Sequence, residues 1–118
     1  MSYDIHLLDP KTGEVLWLDE PHDLTGGTYA VGGTREAWLN VTWNYGKHYY
    51  RVMGEKGIRA IYGLTAAQSI PVLEAAMAAL GDERSPDYWE ATEGNAKAAL
   101  GSLLELARLA PEGVWGGD

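Results

Sequence analysis

The chain has no cysteine and no phenylalanine, and it carries only nine lysine or arginine residues against seventeen acids. Without cysteine it can build neither disulfides nor thiolate metal sites, and it has no thiol nucleophile. A formal charge of −8 opposes wrapping a phosphate backbone, so duplex nucleic acid is not an expected partner. No stretch approaches the roughly 18 uncharged apolar residues of a membrane span. The start of the chain, with Ser2, Tyr3, Asp4 and His6 after Met1, lacks the basic-then-apolar order of a secretion signal. These absences predict a soluble, cytoplasmic protein with no membrane partner. Its 118 residues suit one globular domain, residues 1–118, with a single core.

Catalytic and cofactor patterns are also missing. There is no Gly-x-Ser-x-Gly elbow around Ser2, Ser69, Ser85 or Ser102, and neither a P-loop nor a Gly-x-Gly-x-x-Gly fingerprint. His6, His22 and His48 fall in separate segments without helical metal-ligand spacing, although Asp4 and His6 share a strand face and Asp23 follows His22. No metal, cofactor or catalytic residue is therefore expected, and enzymatic activity stays open with the patterns leaning against it. Asp87, Glu90 and Glu93 recur every three residues. On one helix they read as a solvated, dipole-favoured acidic start or, less simply, as an acid–base cluster.

What is present is unevenly placed. Residues 1–34 hold six acids and one base and residues 81–118 hold eight and three, whereas residues 35–60 hold two acids and five bases. That basic middle also contains Trp38, Trp43, Tyr45, Tyr49 and Tyr50, interleaved with Arg35, Lys47, Arg51 and Arg59. All twelve rings of the chain are Trp or Tyr, so each brings a donor that needs a partner when buried.

Periodicity supplies the elements. Tyr3, Ile5 and Leu7 alternate with polar residues up to a turn at Asp9-Pro10-Lys11-Thr12-Gly13, and Glu14 to Leu18 would return as the second strand of a hairpin. Residues 19–34 read as a loop with two Gly-Gly-Thr steps and a short extended piece at Tyr29-Ala30-Val31. Ala37, Leu39, Val41 and Trp43 mark the cleanest half-buried strand, expected at the sheet centre. Asn44 would cap a helix carrying Tyr45, Tyr49, Val52 and Met53 and ending near Gly54.

Farther on, Ile58, Ile61 and Tyr62 form a short apolar turn. Thr65 to Gln68 fits a capping box, yet Pro71 suggests a helix start nearer Ser69 or Ile70. Ser85-Pro86-Asp87 predicts a short helix with Tyr88 and Trp89, interrupted at Gly94. Thr92 or Asn95 would cap a last helix stopped by Pro111 and Gly113, and Trp115 in the glycine-rich tail would dock on the body or on a partner. Strands first and helices afterwards predict an α+β fold, a small antiparallel sheet of about three strands with three to four helices on one face.

The runs 26–34, 36–45, 50–59 and 87–97 (Gly-Gly-Thr-Tyr-Ala-Val-Gly-Gly-Thr, Glu-Ala-Trp-Leu-Asn-Val-Thr-Trp-Asn-Tyr, Tyr-Arg-Val-Met-Gly-Glu-Lys-Gly-Ile-Arg and Asp-Tyr-Trp-Glu-Ala-Thr-Glu-Gly-Asn-Ala-Lys) together resemble a family of small hypothetical proteins from bacteriophages and prophage-bearing bacteria. The resemblance implies a mobile-element origin in a bacterial cell and an accessory or host-interaction role. It implies no activity, cofactor or catalytic residue.

Two binding functions compete. In one, Trp89 and Trp115 anchor a protein partner, either a host protein or a second copy in a homodimer, because aromatic anchors with charged rims suit interfaces. In the other, Gly26, Gly27, Thr28, Gly32, Gly33 and Thr34 cradle the phosphates of a nucleotide-like small molecule. Trp38, Trp43 or Tyr49 would then stack its base while Arg35, Arg51 and Arg59 neutralise its charge. The second requires the glycine loop and the segment 38–51 to line one cavity.

Overall fold

A computed structural model describes residues 2–28, 33–87 and 90–118. Its elements run β1 (Ser2–Leu8), β2 (Trp17–His22), β3 (Thr34–Glu36), β4 (Trp38–Thr42), α1 (Gly46–Met53), α2 (Ala66–Ala78), α3 (Glu93–Leu109) and β5 (Val114–Gly117). The three-stranded antiparallel sheet has the order β4-β1-β5, and β2 pairs with β3 in a separate two-stranded ribbon. This is the expected α+β fold.

The alternation in β1 decides which face is covered. Tyr3, Ile5 and Leu7 are buried, with Leu39 and Val41 of β4, beneath Leu73 and Ala76 of α2 and Leu100, Leu103 and Leu106 of α3. Cross-strand pairs share a face, so Asp4 with Asn40 and His6 with Trp38 occupy the opposite side.

β4 is not the sheet centre. β1 is, because the C-terminal tail returns as β5 and pairs along its other side from Ile5↔Gly117 to Leu8↔Val114. The outer edges of this sheet are occupied. Thr42 N–H donates to Gly26 O (2.9 Å) beside β4, while Gly63 N–H donates to Trp115 O and Trp115 N–H to Leu64 O (both 2.9 Å) beside β5.

The first turn forms as expected, with Asp9 Oδ1 accepting from Lys11 N–H (2.7 Å) and Gly13 at φ +74°. The simple hairpin does not continue. Leu7 N–H donates to Ala37 O and Ala37 N–H to Leu16 O, both at 2.9 Å, so Ala37 inserts between the returning segment and β1. Displaced in this way, the chain extends as β2 to His22, four residues into the expected loop, and pairs with β3. Pro21 is tolerated because β2 has one strand partner. The extended piece expected at Tyr29-Ala30-Val31 lies outside the described residues.

Helix starts also differ from expectation. Thr42, not Asn44, caps a 3-10 turn (Trp43–Tyr45) that leads into α1, its hydroxyl accepting from Asn44 N–H at 3.3 Å. α2 begins directly after Thr65, whose capping box with Gln68 is complete, and Pro71 sits inside it. The carbonyl that loses a partner there, that of Ala67, belongs to an exposed turn where water can reach it. Thr92 caps α3. No helix occurs among the described residues 82–87, and Gly94 belongs to the first turn of α3 rather than interrupting it.

Candidate functional site

The twelve residues expected around one ligand are distributed over several places. Gly26 and Gly27 do come to lie beside β4, but as packing elements: a Cβ on Gly26 would meet Asn40 O at 2.6 Å, and one on Gly27 would strike the Tyr45 ring. Thr28 donates its hydroxyl to Asn40 O (3.2 Å) and the Thr34 hydroxyl accepts from Glu36 N–H (3.1 Å). Thr28, Thr34, Trp38 and His22 line a void of about 10 Å³, room for about one water and no phosphate. Gly33 is exposed at φ +69°, and Gly32 lies outside the described residues.

The rings and cations divide in the same way. Trp38 donates its indole N–H to Asp4 Oδ1 (3.3 Å) on the open sheet face. Tyr49 is fully buried and donates its hydroxyl to Ala96 O (2.8 Å), so it has no face free to stack a base. Arg51 pairs with Glu93 (2.9 Å), and Arg35 stands exposed on β3. Of these rings and cations, Trp43 and Arg59 line one cleft, while Trp38 lies with Thr28 and Thr34. Gly26 and Gly27 pack along the edge of β4 against Val41 and Tyr45, and Thr28, Thr34 and Trp38 lie beside Asn40, whereas Trp43 and Arg59 gather around Tyr3, which faces the other way from Asn40.

The partner anchors fare as follows. Trp115 is 2% exposed and donates its indole N–H to Ser69 Oγ (2.7 Å), which in turn donates to Ala66 O (2.7 Å). It docks on the body and is not a contact for a partner. Trp89 lies outside the described residues.

Other polar candidates are engaged internally. His22 donates Nε2–H to Glu36 O (2.8 Å) and accepts from Leu24 N–H at Nδ1 (3.2 Å), while His48 bonds Ala91 O (2.8 Å). Among the described residues no three potential ligands cluster for a metal. Glu93 accepts from Gly81 N–H (2.9 Å) and from Arg51, and these hold its carboxyl below the usual range. Asp87 and Glu90 offer their backbone carbonyls to the buried amide of Asn95 (3.2 and 3.1 Å).

The structure does assemble a ring-lined cleft, from residues only partly singled out by sequence. It measures about 270 Å³ and is bounded by Tyr3, Trp43, Gly46, Lys47, Tyr50 and Arg59. Buried Tyr3 forms its floor, while Trp43 and Tyr50 remain 43% and 47% exposed. The Tyr3 and Trp43 rings are 5.9 Å apart between centroids, and the Arg59 guanidinium lies 4.9 Å from the Tyr3 centroid, a cation–π contact. Arg59 Nε also donates to Asp118 O (3.0 Å), which fixes the guanidinium over the ring.

Burial and the neighbouring Tyr50 push the Tyr3 hydroxyl upward against the opposing pull of Arg59, so it stays protonated as a donor. Tyr62 behind it is pushed up to about 12, chiefly by burial. Among the described residues, no carboxylate side chain pairs with Lys47 or Arg59.

A sequence signal for the missed members existed. Lys47 and Tyr50 are separated by three residues, one face of a helix, and that face differs from the one carrying Tyr45 and Tyr49. Tyr3 could not be found this way, since its alternation marks it only as core. Scans against protein-family models, curated proteins and solved structures find nothing that matches this chain.

Proposed function

We propose that this protein is a non-catalytic interaction module that receives an acidic, aromatic-bearing segment of a partner protein in the cleft between β1, α1 and the 57–61 turn. The observation that carries this reading is the cleft itself: two exposed rings above a buried one, with two cations that pair with no carboxylate side chain among the described residues, in a chain of net charge −8. Tyr, Trp and Arg are the residue types that dominate binding energy at interfaces. The cleft is smaller than usual cofactor sites of about 300–1,000 Å³ and suits one anchoring side chain.

The resemblance to small phage and prophage proteins supports a setting in the bacterial cytoplasm, with a host protein or a second copy as the partner. A nucleotide-like ligand is less well supported, because Gly26 and Gly27 are closed off by β4 and the Tyr45 ring, and the void beside Thr28 and Thr34 has no room for a phosphate.

The test is heteronuclear NMR titration with a short peptide carrying one tryptophan between glutamates. Shifts concentrated at the Trp43 indole and the Gly46 amide are expected, abolished by Lys47→Glu, an exposed position whose change leaves the fold intact. An unshifted spectrum at millimolar peptide refutes the reading, as does calorimetric heat with a nucleotide that the peptide fails to compete away.

A further inference from the structure

We infer that the occupant of the cleft is Trp17 of a second copy of this chain. The inference rests on the cleft being the contact site and adds which segment enters it. Trp17 is 69% exposed, the most exposed large apolar side chain among the described residues, although it lies within β2 rather than in a loop. A tryptophan so placed keeps most of its surface in water in the single copy, beside exposed Val15, which makes the pair available for a contact elsewhere.

Its surroundings complement the cleft. Glu36 is its cross-strand partner, so that carboxylate shares the ribbon face with the indole, and Val15, two residues before it, is also exposed. Val15, Trp17 and Glu36 thus form an apolar tip with an acidic edge. The cleft offers Trp43 and Tyr50 as walls and Lys47 and Arg59 as a cationic rim. A ring enters rings, and carboxylates meet cations.

The indole cannot fill the cleft of its own chain. Leu16 N–H donates to Leu7 O, which holds the start of β2 beside the far end of β1. Tyr3 lies four strand residues away, about 13 Å at the usual rise per residue. A second copy must supply the indole, and two copies can do so reciprocally, each giving one tryptophan and taking one. The contact rests on side chains; the edges of the three-stranded sheet beside β4 and β5 already carry hydrogen bonds to Gly26, Gly63 and Leu64. With about 200 Å² per inserted ring and a similar area of cleft, two insertions bury roughly 800 Å², the range of weak, reversible contacts.

The experiment is light scattering or sedimentation velocity on the full chain from about 10 µM to about 1 mM, in low and high salt. The expected result is a rise from the mass of one copy toward two, suppressed by salt, and absent in Trp17→Ser and in Lys47→Glu, both at exposed positions with unchanged circular dichroism. Labelled Trp17→Ser protein should then show shifts at the Trp43 indole and Gly46 amide when unlabelled Lys47→Glu protein is added, and none with the Trp17→Ser, Lys47→Glu double variant.

A mass of one copy at about 1 mM overturns the inference, as does association that survives Trp17→Ser or shifts that persist with the double variant. If the chain stays single while the acidic peptide still shifts Trp43, self-association falls and the cleft stands as an acceptor for other proteins. If neither occurs, both readings fall.

Discussion

Replacing Gly94 by alanine should destabilise this protein, although helix propensity alone predicts the reverse. Gly94 lies in the first turn of α3, where exchanging glycine for alanine in an unobstructed helix gains up to about 1 kcal/mol. A Cβ there, however, would come within 2.6 Å of Arg84 Cγ and 2.7 Å of Asp82 O, and would also meet Glu83 O. Two of these are backbone atoms, so the 82–84 segment has to move. That segment is tied by Gly94 N–H to Glu83 O (2.8 Å), and the chain beyond it by the three bonds of buried Asn95 to Ser85, Asp87 and Glu90. Overpacking costs about 1–3 kcal/mol, and any unpaired donor of the Asn95 amide adds to it.

The net expectation is a loss of about 1–2 kcal/mol, a fall in melting temperature of roughly 3–10 °C for a chain of this size. Urea and thermal unfolding followed by circular dichroism provide the measurement. Gly101→Ala is the internal control. Its added Cβ meets only the Met77 Cε atom, at 3.5 Å, so the same helix should gain up to about 1 kcal/mol there. If Gly94→Ala also raised stability, the close approach of the 82–84 backbone to α3 would be wrong.

Two further outcomes follow from the interior and the surface. Ser69→Ala removes the acceptor of the buried Trp115 indole N–H and should cost about 1–3 kcal/mol in urea unfolding, with Trp115→Phe in the same background restoring part of it because no orphan donor remains. Glu93 titrates below the ordinary glutamate range in the folded state, so its contribution is fully present above that range and is lost as the pH falls through the lowered value. Stability of the native chain and Glu93→Gln should therefore converge on acidification below about pH 4, and curves that stay parallel would remove the Gly81 and Arg51 contacts as the cause.

The elements that the sequence announces clearly are those whose signal is local. Tyr3, Ile5 and Leu7 alternate and form β1, Thr65 and Gln68 build the capping box they spell, and the apolar stripe of α3 is buried as spaced. Misreadings arise where a distant partner overrides a local cue. Gly94 looks like a break until Glu83 packs against it, and the return after Gly13 looks like a plain hairpin until Ala37 takes the Leu7 amide.

The candidate site follows the same division. Composition alone determined that the basic, ring-rich middle of an acidic chain would carry cations near indoles and phenols, because charge and ring content are properties of residues and not of their arrangement. Which of them meet was decided by the fold. The pleat of β1 and β4 sends Tyr3 and Asn40 to opposite faces, and the turn of α1 buries Tyr49 while leaving Lys47 and Tyr50 outside. One strand register and one helix rotation thereby set Thr28, Thr34 and Trp38 apart from Trp43, Tyr50, Lys47 and Arg59, which surround a single opening.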